Sequence, residues 1–126
     1  MYKIVSMGVV TVIGSVLTLS AGEDTVHCKV LDDGVEKIQC IFVTPRKDRE
    51  REVVFHWHSD EFPQDDREHT IMLPALNGSV YDYRYLWGRA EGMWTVTATL
   101  TEEDGSEREA SRRFSLQGGK VAEAAH

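Results

Sequence analysis

After residue 22 the chain alternates apolar and polar positions with a period of two, and turn residues interrupt the alternation about every ten residues. No stretch longer than a turn shows the 3.6-residue apolar spacing of a helix, so the pattern predicts an all-β fold. Seven strands are expected at about 25–31, 37–44, 52–59, 69–73, 80–87, 93–101 and 108–116. Between them, Asp32-Asp33-Gly34, Asn77-Gly78 and Asp104-Gly105 supply residues that tolerate positive φ, which predicts at least three hairpins. This spacing of strands and turns points to an immunoglobulin-like antiparallel β-sandwich, with a partly open barrel as the alternative.

Parity sorts the faces. Val53, Phe55 and Trp57 share one face of the third strand, and Trp94, Val96, Ala98 and Leu100 share one face of the sixth. Packing these two rows against each other would supply the contact between sheets. The segments 45–51 and 60–68 are then loops at the ends of the sandwich, and the second is where recognition is expected. Tyr81, Tyr83, Tyr85 and Trp87 form a further row, with Asp82 and Arg84 on the opposite face, where the two could pair along the strand. Such a row is either core or a platform for sugars, peptides or another sheet. More often such a row is core, but three adjacent phenol hydroxyls are awkward to satisfy in an interior, so burial and exposure stand as equal alternatives.

The first 22 residues change the setting. A lone Lys3, the apolar run of residues 4–19 and the small residues Ser20-Ala21-Gly22 have the layout of a secretory signal. The run is interrupted by Gly8 and Gly14 and is short for a comfortable membrane span, so cleavage is expected, an uncleaved anchor being the alternative. Residues 1–22 are therefore read as signal, 23–116 as one domain and 117–126, with Gly118-Gly119, as a flexible tail. The destination is the periplasm, the cell envelope or the outside of the cell, with membrane attachment only if the signal is retained.

Charge narrows the partners. The chain carries a net −7, and its basic residues are interleaved with acids, as in Arg46-Lys47-Asp48-Arg49-Glu50-Arg51-Glu52. Nucleic acid, which needs clustered Lys and Arg to displace counterions, is not an expected partner. The same net charge repels anionic lipid.

In an exported chain the two cysteines, Cys28 and Cys40, predict a disulfide. A three-residue loop Asp32-Asp33-Gly34 would set them on one face in a diagonal arrangement. His56 and His58, two apart on a strand, share a face, and His69 on the next strand could sit across from them. Three imidazoles, with Asp60 or Glu61 as an oxygen donor, would make a zinc or copper site. The bland reading is a polar outer face. Asn77-Gly78-Ser79 is a formal glycosylation acceptor as well as a turn signal. No Gly-x-Ser-x-Gly elbow, His-Glu-x-x-His or glycine-rich phosphate loop is present, and the carboxylates fall mainly in charge runs such as Asp65-Asp66.

Residues 53–116 resemble a bacterial domain family of unknown function, the DUF2914 group. The matching elements are His56-Trp57-His58, Tyr83-Arg84-Tyr85-Leu86-Trp87, Gly92-Met93-Trp94-Thr95-Val96, Asp104-Gly105 and Phe114-Ser115-Leu116. The chain departs from the family pattern at His56, which adjoins Trp57 instead of standing one residue away. The resemblance implies a small β domain of envelope proteins with no established activity.

The expectation is thus an exported, non-catalytic module without a cofactor. It would bind a protein partner or itself through a sheet edge or through Tyr81, Tyr83, Arg84, Tyr85 and Trp87. A histidine metal protein and a subunit of a self-assembling surface structure are the alternatives, and a hydrolase of surface glycan ranks below both.

Overall fold

Residues 24–124 are described by the computed structural model, and the expected export signal lies outside them. All seven expected strands form, each within two residues of its expected limits: β1 Thr25–Asp32, β2 Glu36–Val43, β3 Arg51–Ser59, β4 Arg67–Leu73, β5 Ser79–Tyr85, β6 Gly92–Thr101 and β7 Glu107–Gln117. An eighth strand, β8 Lys120–Glu123, occupies the segment expected to be a flexible tail. Gly118 and Gly119 have φ of 58° and 76°, and Gln117 pairs with Lys120. The glycine pair is a two-residue hairpin turn, for which both central residues need positive φ, and not a linker. Among the described residues, the helical segment is one 3-10 turn at Pro63–Asp65, and no helix is long and apolar enough to cross a membrane.

The strands make two antiparallel sheets, ordered β1-β2-β5 and β4-β3-β6-β7-β8, packed as a β-sandwich. The first, second and fifth strands oppose the third, sixth and seventh, the division found in immunoglobulin-like domains. The fourth strand pairs with the third, whereas the constant-type arrangement sets it beside the fifth. The two apolar rows read from parity are both buried, but β3 and β6 are neighbours in one sheet, with Phe55 beside Ala98 and Trp57 beside Val96. They lie side by side and not face to face. The opposing layer comes from Val26, Ile38, Cys40 and Phe42 of the small sheet.

Two turns differ from expectation. Asp32 pairs with Glu36, so the first loop is Asp33-Gly34-Val35, with Gly34 at φ 107°. The Asp32 carboxylate accepts from the Gly34 N–H at 3.3 Å, which ends the strand at Asp32 instead of opening the loop there. The one-residue shift brings Cys28 directly opposite Cys40, not diagonal to it, and a disulfide joins them with Cα atoms 4.0 Å apart. Such a bond is compatible with an oxidising compartment.

Asn77-Gly78, in turn, does not close a hairpin, because β5 pairs with β2 and not with β4. The connection crosses between sheets. Its tight turn lies one step earlier, where Asn77 N–H donates to Pro74 O at 3.2 Å and Leu76 takes φ 71°. Gly78 is required for proximity: a Cβ there would meet Thr44 O and Arg46 Cγ at 3.1 Å. The buried Arg51 reaches the same crossover, donating to Asn77 O at 3.4 Å.

Candidate functional site

β5 is an edge strand of the small sheet, and its two faces invert the simplest reading of its sequence. The aromatic residues point outward, with Tyr81, Tyr83 and Tyr85 at 54%, 38% and 50% exposure and Trp87, just past the strand, at 88%. The charged residues point into the sandwich. Asp82 stands beside Cys40 and Arg84 beside Ile38, both core positions.

Burial of Asp82, which is 4% exposed, is supported by the opposite sheet. The Trp57 indole Nε1–H donates to its Oδ2 at 2.9 Å, and Arg67 Nη2 donates to the same oxygen at 2.8 Å. His69 Nδ1 lies 2.9 Å from Oδ1. Burial alone would raise the carboxyl pKa. The hydrogen bonds from His69 and Trp57 and the Arg67 charge outweigh it and hold the group below its usual value of 3.8. An ionised carboxylate can only accept, so His69 carries its proton on Nδ1 and leaves Nε2 on the open side of a half-exposed ring.

Arg84 does not pair with Asp82. Its side chain is 10% exposed and crosses to the β3–β4 loop, where Nη1 donates to Asp65 O at 2.6 Å and Nη2 to Asp65 Oδ1 at 3.1 Å. The same Asp65 carboxylate accepts from Arg89 Nη1 and from Ala90 N–H, each at 2.8 Å. Asp65 thereby pins the loop expected to recognise ligands onto the segment after β5. Desolvation and the neighbouring Arg89 charge lower the Arg84 pKa, against the opposing pull of Asp65.

These groups border a cleft of about 680 Å³ between the free edges of β4 and β5. Arg67, His69, Asp82, Arg84 and Arg89 supply its charged and polar lining. Tyr83, Tyr85, Trp87 and Val35 of the first hairpin form the apolar remainder. Three guanidinium groups and one carboxylate give the lining a positive balance in an acidic protein. The lining contains no Ser, Thr or Cys, and its side-chain hydroxyls are the phenols of Tyr83 and Tyr85.

The free edges of the small sheet are closed to strand addition at central positions. Thr44 N–H donates to Gly78 O and Leu86 N–H to Glu36 O, so the even-numbered residues of β5 turn their backbone groups toward β2. Tyr81, Tyr83 and Tyr85 therefore face the open edge, and there Arg67 Nη2 donates to Tyr83 O at 2.9 Å. On the other edge Arg112 Nε donates to Val26 O at 2.9 Å. Arginines from the large sheet cover both edges, a device that blocks edge-to-edge association.

The three histidines of the expected metal site do not converge. His69 pairs with Phe55 and so shares the inner face of the large sheet, whereas His56 and His58 project from the outer face with their rings stacked 6.2 Å apart. His58 Nδ1 lies 2.8 Å from Asp66 Oδ2 and its Nε2 3.8 Å from Asp60 Oδ1, while the other Asp60 oxygen accepts from Arg113 at 3.2 Å. Glu61 lies against Gly92. Among the described residues no group of three His, Cys, Asp or Glu side chains is placed to hold a metal ion.

No family model matches the chain, and neither do curated proteins or solved structures.

Asp82, Arg67 and Arg89 were not legible as site residues from sequence. The available signal was Trp57, since an inward indole needs an acceptor, and the nearest charged residue alternating with apolar neighbours was Asp82.

Proposed function

We propose that this protein is an exported, non-catalytic binding module that engages its target through the outer aromatic row of β5 and the adjoining cleft. The observation that carries the reading is the outward orientation of Tyr81, Tyr83, Tyr85 and Trp87, with Trp87 at 88% exposure. A folded chain gains nothing in stability from an indole left in water, while exposed Trp and Tyr rings beside the partly exposed Arg67 have the composition of contact surfaces that carry binding energy. The covered edges support the aromatic face over the sheet edge as the point of contact. Export is supported by the signal-like first 22 residues and the disulfide, and the resemblance to the DUF2914 group fits an envelope location.

The test is co-sedimentation of the purified protein with the envelope fraction of its own cell. The double variant Tyr83→Ala, Trp87→Ala is expected to fold normally and to lose most of that binding. Unchanged sedimentation by a folded double variant would overturn the reading. Light scattering after size-exclusion chromatography separates a binding module from a self-assembling subunit, since the module stays monomeric at high concentration.

A further inference from the structure

We infer that the cleft between β4 and β5 binds an acidic oligosaccharide, one whose sugar rings carry carboxylates. The inference rests on the binding role proposed for this face and names its ligand class.

Three features of the cleft select that chemistry together. The first is surplus donors. Arg67 uses Nη2 for Asp82 and Tyr83, and Arg89 uses Nη1 for Asp65, while Arg67 Nη1 and Arg89 Nη2 have no hydrogen-bond partner among the described residues. Guanidinium groups with open N–H positions, in a lining of net positive charge, select a carboxylate. The second is the half-exposed His69 ring: its Nδ1 is committed to Asp82, so Nε2 is left to hydrogen-bond a sugar hydroxyl, which can both donate and accept. The third is the apolar wall. The Tyr83 and Tyr85 rings stand at 76° to each other and the Lys37 ammonium lies 4.9 Å over the Tyr83 ring, so the row is not one flat platform. The Trp87 indole, 88% exposed, supplies the open ring face for the C–H face of a sugar, and Lys37 adds to the positive charge at the cleft.

A peptide fits this combination less well. Joining β5 as an added strand would require the Tyr83 carbonyl, which Arg67 already occupies. Acidic side chains offer acceptors for the arginines but no broad C–H face for the Trp87 ring. A cleft of about 680 Å³ accommodates a few sugar units, within the ~300–1,000 Å³ range of small-ligand sites.

Isothermal titration of the protein, with its disulfide formed, against trigalacturonate and a hyaluronan tetrasaccharide tests the proposal. Maltotriose and chitotriose serve as neutral sugars, and hexaglutamate as an acidic peptide. At least one acidic oligosaccharide is expected to bind, at least tenfold more tightly than either neutral sugar and than hexaglutamate. Trp87→Ala and Arg89→Gln should each weaken it at least tenfold, while Trp87→Phe retains most of the affinity. A two-dimensional amide spectrum verifies that each variant is folded. Failure of both acidic sugars to bind, equal binding of the neutral ones, preference for hexaglutamate, or indifference to Trp87→Ala would each overturn the inference. If the acidic sugars fail while the aromatic double variant still loses the envelope, the ligand class is wrong and the binding face stands.

Discussion

The sandwich has two lateral seams, and each closes with the same device. On one side Asp24, 4% exposed, accepts from Thr44 Oγ1 at 2.7 Å and from Arg108 Nη2 and Nε at 2.7 and 2.9 Å, joining the start of β1 to β7. On the other side Asp82, equally buried, joins β5 to β3 and β4 through Trp57, Arg67 and His69. In both, a buried carboxylate accepts an arginine from the opposite sheet, and an arginine also covers the backbone edge. The seams differ in what remains. At the β1 seam Arg108 spends its last terminal nitrogen on Glu102 at 3.0 Å. At the β5 seam, arginine donors are left over, an imidazole edge is open and an aromatic row continues outward. The first arrangement is a clasp, and the second is a clasp with capacity to bind.

Removing each carboxylate in turn separates the two most sharply. Asp82→Ala leaves the Trp57 indole N–H, 1% exposed, without an acceptor, removes the His69 contact and leaves Arg67 only the Tyr83 carbonyl, and the loss of three hydrogen bonds to one buried carboxylate costs about 3–5 kcal/mol. Asp24→Ala should cost less, about 1–3 kcal/mol, because Arg108 keeps Glu102 and still donates to the Thr44 hydroxyl, and no buried indole N–H depends on Asp24. At ~4–8 °C per kcal/mol for a domain of this size, Asp82→Ala lowers the melting temperature by roughly 12 °C or more. Equal losses in thermal and urea unfolding would erase the distinction between the seams.

This asymmetry also explains how far the sequence could be read. Strand positions and the inward rows of β3 and β6 follow from period-two alternation, because each strand is apolar on one face, while β6 carries Thr95, Thr97 and Thr99 on the other and β3 carries Glu52, His56 and His58. β5 carries aromatic residues on one face and charges on the other, and either face can be buried if its partners exist. The partners of Asp82 are Trp57, Arg67 and His69 on the other sheet, that of Arg84 is Asp65 in the loop between β3 and β4, and sequence periodicity carries no information about contacts between sheets. The same gap misled the metal reading, since whether His69 shares a face with His56 depends on the register of β4. The tail was missed for a local reason: Gly118-Gly119 serves equally as linker chemistry or as hairpin chemistry, and the weakly patterned β8 did not decide between them.

The disulfide gives a second way to sharpen the comparison. Cys28, Cys40 and Asp82 are aligned across the small sheet, so the bond ties β1 to β2 while the Asp82 cluster holds β5. Closing a loop with a sequence separation of 12 stabilises the fold by about 3 kcal/mol on the chain-entropy estimate. Reduction should therefore lower the melting temperature by roughly 10 °C. The loosening should be uneven. Amide exchange is expected to rise more in β1 than in β5, which Arg84 and Asp82 still anchor to the large sheet. Equal acceleration in both strands would mean that the two seams open as one unit. Mass spectrometry with and without reductant before alkylation checks that the native protein holds no free thiol.

Acid provides the mildest test and the most local one. The Asp82 carboxyl is held below its ordinary value, so the folded state binds its proton less readily than the unfolded chain does. The corresponding stabilisation is complete above about pH 4 and is lost as pH falls through the depressed pKa, so acid weakens the β5 seam. The three tryptophans report this in one spectrum. The Trp57 indole resonance should shift as Asp82 protonates, because its N–H donates to that carboxylate. Trp94, whose indole donates to the Ala90 carbonyl at 2.8 Å, should stay in place until the protein unfolds, and the exposed Trp87 should remain near its free position throughout. Asp82→Asn should flatten the fall in stability below about pH 4 and abolish the Trp57 titration. If Trp57 and Trp94 move together across the same pH range, protonation at Asp82 is not a local event, and the seam is no more separable than the core it borders.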